Sequence, residues 1–546
     1  SVMTKEPKII RGAGGGNRGR NAPPSPVNTP DTLDSRTFAT IQDLLSEGEI
    51  AGIHDPGGFP NSFRQSIFLN DTPIQNADGT ENFTDTEVHV RNGDPNQAAI
   101  SGITNLGETR SPTGVGVTVT NATGNQDGAT AGSVTRQITN TNVDAVIVTL
   151  TWPQIQLVTS NGDILGDKVV YEIRIQYQGG GFSDVVSTFV QGRTADSYQR
   201  DHRITLDHNK IEANQAFPVD IRVERVTQDS TETNRVNAFE FTSFQEVIDN
   251  RSTYPNSAYT QIRVDSKTFS SIPTRKFRIR GIKVKIPGEG AQGSGIPSVD
   301  PATGRIVYPS GYIFDGSMGA ATYTNCPAMC LLDLLTNKRY GLGNHIEESN
   351  LDLFSFVAAS KYANELVDDG TNTNNTEARF SCNVNIQSPK EAFDAINELS
   401  GIMRCMPIWS AGGITLSQDK PTNPTYLFNL SNVGEGGFNY SGSSLKTRHT
   451  IISVSYFNMD SREIDFEIVG DDPDNPEDQA RQNKFGAITK KVQAFGCTSR
   501  GQAARLGRAI LFAEQNESET VTFNTSIDSG LVVRPGSVIE INDPVR

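Results

Sequence analysis

The chain has 546 residues, with 48 Lys and Arg against 63 Asp and Glu, a net charge of −15. That balance argues against affinity for duplex DNA, whose phosphates are held by Lys and Arg, and it suits a solvated, soluble surface. The length exceeds one ordinary domain, so roughly three to five are expected, and 50 glycines, 27 prolines and 8% aromatics mark a strand-rich, turn-rich protein.

Residues 1–30 contain GAGGGNRGR and APPSPVNTP. They read as a flexible basic Gly/Pro-rich arm, either a solvated tail or a segment that docks on acidic neighbours. Ile41, Leu44 and Leu45 ahead of Gly48 predict a short helix within 31–53. SIFLNDTPI (Ser66–Ile74) reads as a strand and turn, and TEVHVRNGDP (Thr86–Pro95) as a strand running into a turn. Residues 96–136 have the Thr, Gly, Asn and Ser content of loops and edge strands. From Val143 to about Thr227 the runs VDAVIVTLTW, VVYEIRIQY, DVVSTFV and VDIRVERV are separated by turn signals at Asn161, Gly179 and Ala216. That spacing fits a β-sandwich of the fibronectin type III kind.

Strands return in FEFTSFQEV, AYTQIRVDS and RKFRIRGIKVKIP. The last holds the densest basic run, Arg275, Lys276, Arg278, Arg280, Lys283 and Lys285. It lacks the interleaved aromatics of a base-stacking surface, so it reads as a solvated or intersubunit face. GEGAQG (Gly288–Gly293) has the glycine spacing of a dinucleotide loop. The following SGIPSVDPATG cannot open the helix such a site needs, so a long hairpin is expected.

The class changes near residue 321, which predicts a domain boundary. Pro327 suits a first helical turn; Ala328, Leu331, Leu332 and Leu335 make an apolar stripe; and Gly341 suits a left-handed C′ position. Ser349 is expected to cap a second helix with Asp352 at N3, carrying Leu353, Phe356 and Val357 inward. Ser388-Pro389-Lys390-Glu391 reads as a capping box for a third, with Ala392, Phe393, Ile396 and Leu399 as its stripe and Gly401 as its stop. MRCMPIWSAGGITLSQD reads as a hairpin. A last helix opens at Ser499 with Gln502 at N3 and Ala503, Leu506 and Ile510 inward.

Chemistry is sparse. None of the six histidines has metal-ligand spacing to another, and His202 and His208 on one strand would lie roughly 20 Å apart. The acidic run Asp471–Asp478 lacks calcium-loop order and reads as a solvated loop. Cys326, Cys330, Cys382, Cys405 and Cys497 form no CxxC pair, as in a reduced chain assembled in a cytoplasm. No apolar run nears the ~18 residues of a membrane span. Ser1–Arg20 lacks the apolar core of a signal peptide. No residue is assigned a catalytic, cofactor-binding or metal-ligating role, and no cofactor is expected. Cys497 with His449 is the least unsuitable catalytic pair.

Five ordered blocks carry a resemblance: LLSEGEIAG (Leu44–Gly52), TYPNSAYTQIRVDS (Thr253–Ser266), SGYIFDGS (Ser310–Ser317) running into AMCLLDLLTNKRYGLG, MRCMPIW (Met403–Trp409) and FGCTSRGQAARLGR (Phe495–Arg508). Together they resemble the tip attachment (host-specificity) J family of lambda-type long-tailed phages, in its N-terminal hub region. The resemblance implies a mainly β, multidomain hub with α+β segments. By that analogy 31–110 and 240–320 are two parts of one hub β-domain, 130–235 an inserted fibronectin-III-like sandwich, 321–435 an α/β hub domain and 436–546 a second tube-like domain continuing beyond Arg546. It implies a homotrimer at the virion tail tip, assembled in the bacterial host cytoplasm. Its implied partners are distal tail and tail-tube proteins, other tail-tip proteins and the tape measure protein C-terminus. A host receptor would be met through domains beyond residue 546, and phage DNA only in passage through the lumen. A tail-associated cell-wall hydrolase and a non-viral surface adhesin are the rival readings.

Overall fold

The computed structural model describes residues 26–33, 38–100, 109–123, 132–248, 252–370, 375–410, 413–442, 448–517 and 519–545. The expected arm therefore lies outside the described residues as far as residue 25.

The first body is built from both sides of a long insertion. Ser257–Asp265 pairs antiparallel with Phe38–Glu47 on one edge and Glu87–Asn92 on the other. Ile279–Pro287 pairs with Ile50–Ile53 and with Met318–Tyr323. Arg275–Phe277 joins the hairpin of Ile67–Leu69 and Thr72–Pro73. Ile53, Ile67, Leu69, Ile74, Ile262 and Val264 form its core. The helix expected within 31–53 is instead two strands. Ala39, Ile41 and Leu45 lie against the core at even spacing while Leu44 is 63% exposed, so the period is two, with a bulge between Leu44 and Ser46. The positive φ of Gly48 then turns the chain between them.

The insertion is an antiparallel β-sandwich. One sheet orders Tyr198–Thr205, Ala145–Trp152, Phe239–Ile248 and Thr109–Val119; the other orders Ser183–Gly192, Asp167–Gln176, Val219–Arg225 and Val134–Ile138. Val169, Tyr171, Ile173 and Ile175 alternate inward to meet Trp152, which stacks on Phe239 at 5.0 Å. The sandwich is wider than the expected 130–235. Phe239–Ile248, assigned from sequence to the hub β-domain, is a central strand of this sandwich. Alternation reveals a strand but not its partner.

The change of class at 321 does not break the core. Met318–Tyr323 belongs to the first body's sheet, and Val284, Ile286 and Ile306 pack with the helix Pro327–Thr336 in one cluster. That cluster continues through the helices Leu353–Ala363 and Ala392–Ile402 to the hairpin Cys405–Ser410/Gly413–Gln418. Pro327 is the first helical residue and Ala328, Leu331, Leu332 and Leu335 are buried, as expected. Gly341 does not take positive φ; the helix ends where Asn337 turns extended. The cap of the second helix is Asp352, which accepts from Ser355 N–H, because Ser349 sits in a separate 3-10 turn. Ser388 does not cap the third. Glu391 precedes it without a side-chain cap, Gly401 lies inside it, and Phe393 is 73% exposed.

The C-terminal unit holds the helix Arg500–Asn516, capped by Ser499 on Gln502 N–H as the sequence predicts. It lies on a three-stranded sheet ordered Glu463–Val469, Ile451–Asn458, Thr489–Gln493. The acidic run at 471–478 is not all loop. Asn475 caps a helix, Pro476–Phe485, whose first turn carries Glu477 and Asp478, where carboxylates suit the dipole.

Candidate assembly surface

The catalytic candidates do not converge. Cys497 is buried, donates to the Ser499 carbonyl at 3.2 Å, and has its pKa pushed up to about 11 by burial, the opposite of an activated thiol. His449 Nδ1 is 2.8 Å from Glu514, which also takes Lys490. His202 contacts the Tyr171 hydroxyl at 2.8 Å inside the sandwich, and burial, then Arg200, lower its pKa to about 4. His208 instead opens the short helix His208–Glu212, near Asp144. Among the described residues no group of three His, Cys, Asp or Glu could hold a metal.

Two cationic clusters are largely spent within the fold. Of the basic run, Arg275 pairs with Asp43 at 2.6 Å, Lys276 with Asp71 at 2.5 Å, Lys283 with Glu49 and Lys285 with Glu348 at 3.0 Å. Lys276, Arg278 and Lys285 stay exposed, so the run is a solvated face on which four of the six cations are matched by acids of the same chain. A cavity of about 410 Å³ is lined by Val367, Asp368, Gly370, Arg379, Arg505 and Arg508. Its Arg505 pairs with Glu377 and donates to the carbonyls of Asp368 and Arg379, and its Arg379 pairs with Glu365.

What the fold leaves open is apolar. In the C-terminal sheet, paired residues share a face. Ile452, Val454 and Tyr456 pack under the Arg500–Asn516 helix with Ala503 and Leu511. The opposite face carries Phe457 beside Ile464, Ser455 beside Phe466 and Ser453 beside Ile468. Ile464, Phe466 and Ile468 are 65%, 60% and 57% exposed. Three large side chains in a row on a strand are a contact surface rather than scattered exposure. The alternation of EIDFEIV signals a half-buried strand; which of its two faces the helix covers is not written there.

A family model for the FNIII-A domain of tip attachment protein J matches residues 109–250, the full width of the sandwich. A second, Phage-tail_3, describing a phage tail protein, matches residues 391–546. Tip attachment protein J of Escherichia phage SECphi4 is 31% identical over 95% of this chain and 42% of its own length. The same-named protein of Escherichia phage SECphi27 is 29% identical over 98% of this chain and 40% of its own. The chain thus spans about two fifths of the length of these curated relatives. A solved structure titled "CBM4 structure and function" covers 33% of this chain and 93% of its own, at 14% identity and a TM-score of 0.12, too slight an overlap for any fold argument. The relatives' names and the FNIII-A model agree in kind, and that model's bounds match the sandwich: over nearly its whole length the chain is similar to the tip attachment protein J of phage tails.

Proposed function

We propose that the chain is a structural hub of the tail tip. In this reading it closes the distal end of the tail tube and links the tube to the receptor-binding spike or fibre, for host attachment and DNA ejection. It acts as a homotrimer. It meets distal tail and tail-tube proteins, other tail-tip proteins and the tape measure protein C-terminus. The receptor is met through regions of the relatives beyond the span of this chain, and phage DNA only in passage. Its role is structural rather than catalytic.

The observation that carries this reading is the uncovered sheet face of Ile464, Phe466 and Ile468 within the region matched by the phage-tail model. An isolated soluble domain rarely leaves such a row open, whereas a subunit of an assembly covers it. The spent catalytic candidates add to it. The test is the mass of the full-length protein by light scattering, with imaging of tail tips. Three copies per particle are expected. A monomer at every concentration and in isolated tips overturns the reading.

A further inference from the structure

We infer that Cys330 and Cys382 are a dithiol pair that closes into a disulfide when a low-molecular-weight disulfide is present, fastening the helix Pro327–Thr336 to the segment that leads toward the C-terminal unit. The pair stands apart from the hub reading. All five cysteines are free thiols. Three of them face oxygen. Cys326 Sγ lies 3.1 Å from Ser360 Oγ, Cys405 Sγ 3.8 Å from the Met403 carbonyl and Cys497 Sγ 3.2 Å from that of Ser499. Cys330 and Cys382 face each other instead, and the Cys382 side chain is the hydrogen-bond partner of the Cys330 thiol.

The backbone brings them together. Cys382 N–H donates to the Asn325 carbonyl at 2.8 Å, which sets Cys382 beside the residue preceding the helix cap, Cys326. Cys330 closes the first helical turn, its N–H on the Cys326 carbonyl at 3.0 Å. Helical side chains tilt toward the helix N-terminus, so the Cys330 thiol leans back over the turn that Cys382 joins. Gly496 backs the other thiol: a Cβ there would lie 3.4 Å from Cys382 Sγ. The segment around Cys382 is also tied to the C-terminal unit. Ser381 N–H donates to the Gln502 side chain at 3.0 Å and Asn383 N–H to the Gly496 carbonyl at 2.8 Å. A closed pair therefore links the helix to that joint, and it acts mainly by restricting the opened chain.

The two thiols differ in access. Cys382 is 5% exposed, whereas Cys330 is partly exposed. This asymmetry orders the exchange. The Cys330 thiolate attacks one sulfur of the small disulfide and expels a thiolate, leaving a mixed disulfide on Cys330. The Cys382 thiolate then attacks the Cys330 sulfur and expels the second. The chain loses two S–H bonds and gains one S–S bond, the two protons pass to the thiolates released, and the small disulfide is reduced to two thiols. The neighbouring Cys382 thiol, then burial, then the Asp333 carboxylate hold the Cys330 thiol well above its usual range, so the first attack is slow at neutral pH. A compartment kept reduced by thiols leaves the pair open, and an oxidising one closes it.

The test uses the full chain, incubated folded with glutathione disulfide at mildly alkaline pH and then denatured in acid. The thiol count is expected to fall from five to three. Non-reducing tryptic maps should show one Cys330–Cys382 link, placed by fragmentation because Cys326 and Cys330 share a peptide. Hydrogen exchange should slow in peptides covering 327–336 and 376–383. Cys382→Ser is expected to stop at a glutathione adduct on Cys330, Cys330→Ser to stay reduced, and Cys326→Ser to form the link as the unaltered chain does. Five remaining thiols, an unresolved adduct on Cys330 of the unaltered chain, a Cys326–Cys330 link or a link between copies overturns the pair. The deciding map is made on the unaltered chain, so a variant that fails to fold leaves the test intact. None of these outcomes bears on the hub reading, which the mass measurement decides.

Discussion

Gly341 tests how the helix Pro327–Thr336 is terminated. The Gly-Leu-Gly sequence after it suggests a left-handed cap, for which Asn is the next best residue after Gly. The structure assigns another reason. A Cβ on Gly341 would lie 2.1 Å from the Leu334 carbonyl oxygen, and one on Gly343 2.0 Å from that of Thr336. Relieving the first to 3.0 Å moves the loop about 0.9 Å (3.0 − 2.1), enough to break Leu342 N–H to Leu334 O at 2.8 Å and Gly343 N–H to Asn337 O at 3.0 Å. Each bond contributes about 1 kcal/mol and the overpacking costs about 1–3 kcal/mol, so Gly341→Ala should lower the opening free energy of this helix end by about 3–5 kcal/mol. The loop also carries Arg339, which pairs with Glu47 at 2.6 Å and donates to the Ser257 hydroxyl at 3.1 Å. Protection should therefore fall in Phe38–Glu47 as well. Hydrogen exchange with mass spectrometry on peptides covering 327–345 and 38–47 reads both. Close approach predicts that Gly341→Asn is as damaging as Gly341→Ala. An Asn variant near wild type, with Ala clearly worse, refutes the reasoning.

Arg225 is 1% exposed, donates to the Asn237 carbonyl and side chain and pairs with Asp229 at 3.0 Å; Arg225→Ala should destabilise the sandwich by about 3–5 kcal/mol, read by Trp152 fluorescence in a Trp409→Phe background. His202 has a folded pKa of about 4, below its usual 6.5, so the unfolded chain binds the extra proton between those values. Its stabilising contribution is complete above pH 6.5 and falls as pH drops toward 4; urea midpoints at pH 7 and pH 5 should differ less in His202→Gln. Burial pushes the thiols of Cys405 and Cys497 up to about 12 and about 11. Iodoacetamide at pH 7.5 should leave both unmodified until the chain is unfolded, and rapid, His449-dependent labelling of Cys497 would revive a cysteine hydrolase.

Local signals were legible where one element decides them. Ser499 three residues before Gln502, and Pro327 ahead of a leucine stripe, fix helix starts through their own hydrogen bonds and φ. The sandwich strands announce themselves because their inward face is buried along its whole length. What failed depends on partners distant in sequence. Ile41, Leu44 and Leu45 match a helical face, but Ser257–Asp265 imposes a strand and leaves Leu44 in solvent. Phe393 has the spacing of a core residue, yet its side of the helix is uncovered. The basic run at 275–285 is a solvated face, as its sequence reads, but the acids that offset it, Asp43, Glu49, Asp71 and Glu348, arrive from elsewhere in the chain. For the same reason the apolar row of Glu463–Val469 cannot be told from a core strand before the helix is seen to lie on the other side.

The way the sandwich is inserted leads to a deletion. Asn92 pairs with Ala258, and Arg91 with Tyr259, so the chain leaves the first body and re-enters it at adjacent positions of one sheet. Gln97 fastens that stem, its amide donating to the carbonyls of Thr253, Tyr254 and Ser257 at 3.0, 2.7 and 3.0 Å. The sandwich keeps its own core around Trp152, Tyr171 and Phe239, apart from the core of the body. Domains inserted at such neighbouring points are removable without strain on the parent sheet. Joining residue 108 to residue 249 should therefore give a soluble protein with unchanged protection in Ser257–Asp265. One local loss is expected: the segment 26–33 lies on the sandwich through Val27 to Asp163, the Asn28–Ile164 bridge and Thr32 to Arg193, and without it should become open to protease. An insoluble product, or lost protection in Ser257–Asp265, would show that the body needs the sandwich to fold. If the body folds, its mass decides the role of the insertion. A sandwich on the outside of the hub leaves self-association intact, whereas one standing between copies abolishes it.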